Sequence, residues 1–486
     1  MFEKSAFGAF AAFQEKPHVT AAMLGISRRD WVAGEAGQTA EHAQEIMRDY
    51  RFDVLPVQEA DGRVSGYFRT RKVGDFSQLP ERCDIDWQAD CLDIKTGLVP
   101  LLKQLADSRN RDRAPFYFLT APGQEGTLEI VGMVADVNLN SRAVFQYGYA
   151  TLTELEMELS DLIGAAFPEE KRLRQALDYL AQTGITQKSI ESSLQSFADD
   201  SKHEHQNALR EYLTLRSMLA LVEHTGLYSW LGYAAANVDE FGRKRSEILD
   251  MRNWIAHPVH SYENRPRTHS EASPPVEKGS DLLAIRLYTA LSAVETMVRS
   301  LKKLRKKTDL RTDRPRVGQY FTSQFFSVSQ HGDAFMEGAF HIEPGVPTPK
   351  QLPAGARSIA YLTSQNPEPQ EGSWRAVDST ENQTHSEDLQ GELKAQVNDG
   401  MPWLFAASEA RVDEQFPEIR RQQQANGMYR ESGYWLLDIS PETACEWGRR
   451  FKQDAIVYAE AGKMAQLLAC GKAPGVQAAQ LPPLIS

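Results

Sequence analysis

The spacing of apolar residues changes near Thr151, and this change constrains the fold more than any other feature of the chain. From that point leucines recur three and four residues apart, which places them on one face of a helix. The residues in this pattern are Leu152, Leu155, Leu159, Leu162, Ile163, Leu173, Leu177, Leu180, Leu209, Leu213, Leu215, Leu219 and Leu221. A long helix over 281–304 closes the segment. Four or five consecutive amphipathic helices predict an all-α bundle.

One part of this helical segment brings a cation, an amide and an imidazole close together. Asn253 and His257 are four residues apart and share a face of a helix, and Arg252 lies beside them. Pro258 disfavours helical geometry at the residue before it, which predicts that the helix ends at His257. The carbonyl end of the helix dipole would then favour the imidazolium form of this histidine.

These three side chains have the chemistry that RNA cleavage requires. An imidazole with a pKa near neutrality can accept and donate a proton. Arg252 can neutralise a phosphoryl oxygen with its fork of donors, and Asn253 can orient either group. When the 2′-hydroxyl of the RNA is the nucleophile, these three side chains suffice for the reaction and no metal ion is needed. A plainer alternative is that the same residues cap helix carbonyls and pair with surface carboxylates.

The motif Arg252-Asn253-x-x-x-His257, at the end of a helix in an all-helical segment and followed by proline, resembles the signature of the HEPN family. The resemblance implies a metal-independent endoribonuclease that acts as a homodimer with a composite site. It implies that His257 is the acid/base, that Arg252 stabilises the phosphate and that Asn253 orients them. Some relatives are antitoxins with His-x-Tyr here; in this chain Val259 takes that place and Tyr262 lies further on, which disfavours that version.

Composition limits the number of domains and the class of protein that the chain can form. With 486 residues, 41% of them hydrophobic and 25% charged, the chain is expected to form two to four globular domains. Its four cysteines lack metal-site spacing and are typical of a reduced cytoplasm. No apolar run approaches the length of a membrane span, and the apolar stretch 5–13 is too short and too closely flanked by charges for a signal peptide.

The net charge of −12 argues against a generic nucleic-acid binder, since phosphate contacts need positive charge. Basic residues are concentrated over 299–316, where the only acidic residues are two aspartates. This stretch is either a patch that faces RNA or a solvated helix end that runs into a linker. RNA is the expected partner, and neither DNA nor a membrane is expected.

The N-terminal part contains a weak internal repeat. The order helix, strand, turn, strand is predicted over 40–68 and again over 98–134, and two copies of one unit usually bury their apolar faces against each other. The segments 52–57 and 131–140 make this repeat look like a pair of CBS domains. That resemblance implies a regulatory site for an adenine nucleotide in the cleft between the copies.

Both copies depart from the CBS pattern, which usually has Thr or Ser three residues after the strand glycine and Asp three residues further. The first copy has Arg69 and Lys72 there, and the second has Ala135 and Asn138. Arg69, Lys72 and Asn138 are therefore the candidates for contacting a nucleotide. A purely architectural or dimerising role is the alternative.

After Pro315 the sequence predicts mixed strands and helices, with strands over 358–363, 433–439 and 455–458. Over 355–465 this layout looks like a small bacterial α+β family of undetermined function. Four polar residues are candidates for one pocket, with turn and cap roles as the alternative for the two asparagines: Asn366, Glu381, Asn382 and Glu431.

The chain has no glycine-rich phosphate loop, no HExxH, no Gly-x-Ser-x-Gly and no paired-cysteine zinc motif. We therefore predict a multidomain α+β protein: a CBS-like pair at 1–148, a HEPN-like bundle at 149–310 and an α+β domain at 311–486. Its predicted function is that of a cytoplasmic, regulated endoribonuclease, such as a toxin or phage-defence effector, that leaves 2′,3′-cyclic phosphates and needs no cofactor. The competing interpretation is a non-catalytic sensor or scaffold, and a third is an antitoxin modified at Tyr262.

Overall fold

The computed structural model describes residues 18–72, 74–106, 116–123, 127–184, 186–201, 208–256, 283–306, 323–331, 334–364, 379–395, 403–411 and 428–470. Within these ranges the protein is a multidomain mixture of α and β, with eleven helices and fifteen strands. This confirms the predicted class at that level. The chain divides into two compact units, Met1–Glu154 with Ser246–Glu295 and Leu155–Arg245 with Thr296–Ser486. The three predicted domains stay a prediction.

The helices in chain order are α1 Ala21–Leu24, α2 Ala40–Tyr50, α3 Leu98–Leu105, α4 Arg142–Ala166, α5 Glu170–Gln182, α6 Gln187–Ser201, α7 Leu215–His224, α8 Val238–Ala256, α9 Leu283–Lys306, α10 Ser379–Ala395 and α11 Pro441–Arg450. The strands are β1 Ile26–Ser27, β2 Gly34–Glu35, β3 Val54–Gln58, β4 Val64–Arg69, β5 Glu81–Cys83, β6 Cys91–Asp93, β7 Phe116–Pro122, β8 Leu128–Ala135, β9 Gln324–His331, β10 Ala334–Ile342, β11 Ser358–Leu362, β12 Trp403–Arg411, β13 Met428–Leu437, β14 Ala455–Glu460 and β15 Gln466–Ala469.

The first unit contains the predicted repeat. Its two four-stranded sheets have the orders β2-β3-β4-β5 and β6-β7-β8-β1. In each sheet a short strand pairs in parallel with the strand after the helix, and the remaining pairs are antiparallel. We call residues 34–83 the first copy. The second copy is residues 91–135 together with β1, which precedes the first copy in the chain and supplies the last strand of the second sheet.

The two copies share details that go beyond strand order. Each central hairpin has a register shift at the same place, after Val57 in β3 and after Leu119 in β7. The residues opposite them are Gly66 and Gly132. A Cβ on either glycine would lie 2.7 or 2.5 Å from a carbonyl oxygen of the neighbouring edge strand. Glycine is therefore required at both positions by the close approach of a backbone.

The apolar faces of the two copies meet in one core cluster. The ring of Tyr67 in the first copy lies 5.1 Å from that of Phe116 and 5.7 Å from that of Phe118 in the second, measured between centroids. Val54 and Ile130 complete the buried part of the cluster. Edge-to-face packing of this kind adds to the hydrophobic burial. The expectation that the copies bury their apolar faces against each other is confirmed.

Residues 142–306 form only helices and short 3-10 turns in the described ranges, as the leucine spacing predicted. There are six α-helices there, α4 to α9, rather than four or five. The leucines of 209–221 do not form one helix. Leu209 lies in a 3-10 turn, Leu209–Tyr212, Leu213 follows that turn, and the others lie in α7, which Thr214 caps by accepting a hydrogen bond from the Ser217 amide. Whether these helices make a HEPN-type bundle stays a prediction.

The second unit holds an antiparallel seven-stranded sheet of order β10-β9-β12-β13-β11-β14-β15. The predicted strands correspond to β11, β13 and β14. The sheet is fastened to the helices of the same unit by main-chain contacts. The Leu467 amide donates to the Thr225 carbonyl at 2.9 Å, and the Ala469 amide donates to the Ser229 hydroxyl at 2.8 Å. No helix in the described residues combines the length and the apolarity needed to span a membrane.

Candidate functional site

Arg252 and Asn253 lie in the last described turn of α8, while His257 lies outside the described residues. Arg252 is exposed and Asn253 is half-buried. Met251 and Trp254, which surround them in the sequence, are completely buried. Because buried and exposed residues alternate around this turn, the packing of its apolar side fixes the direction in which Arg252 points.

The turn is held against the start of α4 at close range. The rings of Trp254 and Phe145 are 4.4 Å apart between centroids. One residue further, Ile255 lies against Gly148, where a Cβ would come within 2.5 Å of the isoleucine Cδ1 atom. A side chain at position 148 would require the end of Ile255 to move, so the glycine allows this isoleucine to pack directly on α4.

The nearest acidic residue on α8 is paired with a residue of α9. Asp250 and Arg286 form an ion pair at 3.9 Å between Oδ2 and Nη2, with side chains that are 23% and 11% exposed. The negative charge two residues before Arg252 is therefore offset by a cation from the neighbouring helix. The distance of 3.9 Å is long for an ion pair, but both side chains are mostly buried, so the attraction is screened less than at an exposed site.

Two further contacts fix α9 in the first unit. Asp136, 9% exposed, accepts hydrogen bonds from the amides of Leu283 at 3.0 Å and Ala284 at 2.7 Å. The Tyr147 hydroxyl on α4 donates to Glu295 at 3.2 Å. Burial, and then the charge of Glu295, raises the pKa of Tyr147 to about 12. The hydroxyl therefore keeps its proton, and remains a donor, throughout the physiological range.

The electrostatic setting of Arg252 bears on the two interpretations of the motif. Among the described residues Arg252 makes no ion pair, although surface pairing was the plainer alternative. Its guanidinium is exposed and uncompensated there, and an arginine always carries its charge. Such a group can bind a phosphoryl oxygen with two parallel hydrogen bonds.

The candidates at the two strand ends have different surroundings. Arg69 is 7% exposed, and its guanidinium carbon lies 5.7 Å from the centroid of the Phe116 ring. Asn138 is half-buried, and its side-chain oxygen accepts from the Ala135 amide at 2.8 Å. Lys72 is exposed. Arg69 and Asn138 already make contacts inside the protein, so the three residues fit an adenine nucleotide poorly. That ligand stays a prediction.

Several other candidates are only partly covered. Of the basic stretch, Arg299, Lys302 and Lys303 are exposed on α9, and the part beyond residue 306 lies outside the described residues. Tyr262 and Asn366 also lie outside them. Three candidates belong to elements in which their side chains are not described: Glu381, Asn382 and Glu431. In the described ranges no three His, Cys, Asp or Glu side chains cluster as metal ligands would.

Sequence reasoning missed Asp136, Asp250 and Arg286. Asp136 follows β8 directly, where a polar residue is usually taken for a turn, and its partners lie 147 and 148 positions away. Asp250 stands two residues before the motif, and its i,i+2 spacing to Arg252 places the two on different sides of the helix. An acid that close to a candidate phosphate-binding arginine was the one available signal.

No protein family and no curated protein that was compared matches this chain. A search of solved structures finds an uncharacterized conserved protein from Pyrococcus horikoshii, with 17% sequence identity over 25% of this chain and 89% of that one. The TM-score of 0.19 is too low to indicate a shared fold.

Proposed function

We propose that the protein is a metal-independent endoribonuclease of HEPN type that uses Arg252, Asn253 and His257. One observation carries the proposal: Arg252 is exposed on a helix turn fixed by buried neighbours, and no carboxylate neutralises it within the described residues. An arginine that serves phosphate binding must leave its donors available.

The reaction requires one proton to leave the 2′-hydroxyl and another to reach the 5′-oxygen. His257 acts as the base, the 2′-oxygen attacks phosphorus, and the bond from phosphorus to the 5′-oxygen breaks. The products are a 2′,3′-cyclic phosphate and a 5′-hydroxyl. Arg252 stabilises the extra negative charge on the phosphoryl oxygens, and Asn253 orients the substrate or the imidazole.

One histidine does not readily act as base and acid in a single step. The proposal therefore includes a homodimer in which His257 of a second copy of the chain protonates the leaving oxygen. It also includes control through the flanking regions, as in a toxin or phage-defence effector of the cytoplasm. An adenine nucleotide at the repeat would be regulatory, and the reaction itself does not need it.

The test is cleavage of total cellular RNA by the full chain in the presence of EDTA, followed by analysis of the fragment ends. We expect wild type to leave cyclic phosphates, and both His257→Ala and Arg252→Ala to lose about 10²- to 10⁴-fold in rate. Arg243→Ala is the matched control, because Arg243 is an exposed arginine on the same helix. Cleavage that Arg252→Ala leaves intact, or that yields other ends, rejects the assignment.

A non-catalytic sensor or scaffold is the second candidate, and a specific observation favours it. Arg69 of the first copy packs on the Phe116 ring of the second, and Asn138 closes the turn after β8, as an architectural role would require. In that case wild type, with or without adenine nucleotides, cuts no RNA, and Arg252→Ala changes neither self-association nor stability. Mass spectrometry that finds a nucleotide on Tyr262 in protein made beside its genomic neighbours would instead support the antitoxin interpretation.

A further inference from the structure

The first turn of α9 is held by a carboxylate from the end of the second copy. The Asp136 oxygens accept separately from two successive amides, Leu283 to Oδ2 at 3.0 Å and Ala284 to Oδ1 at 2.7 Å. These are two of the four amides that a helix start leaves without a partner. Since the acceptor is charged and only 9% exposed, the two bonds are strong and directional.

Asp136 is itself firmly placed. It begins the 3-10 turn Asp136–Leu139, which follows β8 without a break. The turn is closed by the Asn138 side chain on the Ala135 amide, and Leu139 is completely buried. A displacement of the end of β8 therefore moves the carboxylate, and with it the start of α9.

The start of α9 in turn contacts the turn that carries the candidate site. Arg286 lies two residues after Ala284 and forms the ion pair with Asp250 of α8. Leu287 beside it is 1% exposed, so the helix cannot shift at this point without repacking. Strand end, carboxylate, helix start and ion pair form one contiguous series of contacts that ends two residues before Arg252.

We propose that Asp136 is the positioning residue through which the second copy of the repeat controls the turn of α8 that bears Arg252. An effector that displaces the end of β8 acts on that turn through α9. In the first copy the Asp53 carboxylate instead bonds within the copy, to the Thr70 hydroxyl at 2.8 Å and the Gly74 amide at 2.7 Å. The regulatory meaning rests on the proposed function; the coupling itself does not.

The test is hydrogen exchange of the full chain, read by mass spectrometry on segments 283–288 and 250–256. Asp136→Asn is expected to speed exchange of the first α9 amides by roughly tenfold, since asparagine is neutral and has an NH2 group, which cannot accept a hydrogen bond, in place of one carboxylate oxygen. Exchange of 250–256 should speed up by about threefold. Asp53→Asn is the matched control and should act only near Gly74. Should Asp136→Asn fold poorly, Asn138→Ala, which loosens the turn and keeps the carboxylate, should move both segments in milder form.

A double variant shows whether Asp136 and Arg286 act on segment 250–256 through the same contacts or independently. If Asp136 acts through the ion pair, adding Asp136→Asn to Arg286→Gln leaves exchange of 250–256 as in Arg286→Gln alone. Multiplying effects overturn the proposal, as does an unchanged 250–256 segment in Asp136→Asn or an equal response there in Asp53→Asn. The readout uses no RNA, so a wild type that cuts no RNA rejects the ribonuclease while this measurement still decides the coupling.

Discussion

The two copies of the N-terminal repeat have the same strand order, the same register shift and the same glycine opposite it, but their strand ends differ. In the first copy the chain after β4 folds back, held by Asp53. In the second copy the chain after β8 leads to Asp136 and the start of α9. The same fold unit therefore makes its strand-end contacts within itself in the first copy and with the helix α9 in the second.

The equivalent positions after the two central hairpins show how a few residues create this difference. Arg69 and Ala135 correspond, and so do Lys72 and Asn138, because each pair stands at the same distance from Gly66 or Gly132. A buried cation and an exposed one occupy the first copy. A methyl group and a capping amide occupy the second, which leaves room for the 3-10 turn that carries Asp136.

The largest effect on stability is expected in the core cluster to which both copies contribute. Phe118 is completely buried, and Phe118→Ala should lower the free energy of unfolding by about 3–5 kcal/mol. Because Tyr67 of the first copy packs on this ring, urea unfolding should lose both copies in one transition. Two separate transitions would show that the copies are independent, and Leu79→Ala, at an exposed leucine, should change little.

Substitution of Gly66 or Gly132 is expected to displace a different edge strand in each copy. Gly66→Ala opposes the Cys83 carbonyl of β5, whereas Gly132→Ala opposes the Ile26 carbonyl of β1. Each should cost about 1–3 kcal/mol, because a backbone must shift. Limited proteolysis should then cut near residue 26 only in Gly132→Ala. Equal cleavage there in both variants would mean that β1 depends on the first copy as well.

A smaller difference is expected at the equivalent positions 72 and 138. Asn138→Ala removes the acceptor of the Ala135 amide and should lower the free energy of unfolding by about 1 kcal/mol. Lys72→Ala, at an exposed side chain, should stay within about 0.5 kcal/mol of wild type. Thermal denaturation of the two variants side by side makes the comparison. Similar losses would show that Lys72 has a structural role equal to that of Asn138.

The smallest effect on stability near neutral pH is expected at Cys91 in the edge strand β6 of the second copy, where the consequence is instead a low thiol reactivity. Burial, followed by the charges of Asp90 and Asp86, raises the pKa of Cys91 to about 11. Near pH 8 its thiolate should be about a hundredfold scarcer than that of an ordinary thiol, and alkylation should be correspondingly slow. Since the folded pKa is raised, the stability contribution is present below about pH 9 and is lost as pH rises through about 11. Mass-spectrometric labelling at pH 8 that modifies Cys91 as fast as a cysteine peptide would contradict this.

Local patterns predicted local elements well. The helices α2 and α3 begin at residues 40 and 98, where the two predicted segments begin, because Thr39 caps the first and the four leucines of the second all face the core. The strand β10 was not predicted, since a register shift between Glu337 and His341 disrupts the alternation on which strand prediction depends. The helix α6 was missed because polar residues outnumber its apolar ones, of which Ile190 is fully buried.

The candidate site was predictable only in part for a different reason. Arg252 and Asn253 are neighbours in the chain, and helical spacing suffices to place them together. Asp136 and Arg286 reach the same region from 116 and 34 positions away from Arg252. No periodicity within one sequence encodes contacts over such distances, since they are set by how the elements pack.

The origin of β1 has a further consequence for the N-terminal repeat. This strand precedes the first copy in the sequence and completes the sheet of the second. The first copy is therefore inserted, in sequence, between two parts of the second copy. A single cut between Cys83 and Cys91 leaves neither fragment complete: the upstream fragment keeps an unpaired β1, and the downstream fragment lacks its edge strand. The two fragments should reassociate through that strand, so the repeat is suited to serve as a split-protein reporter.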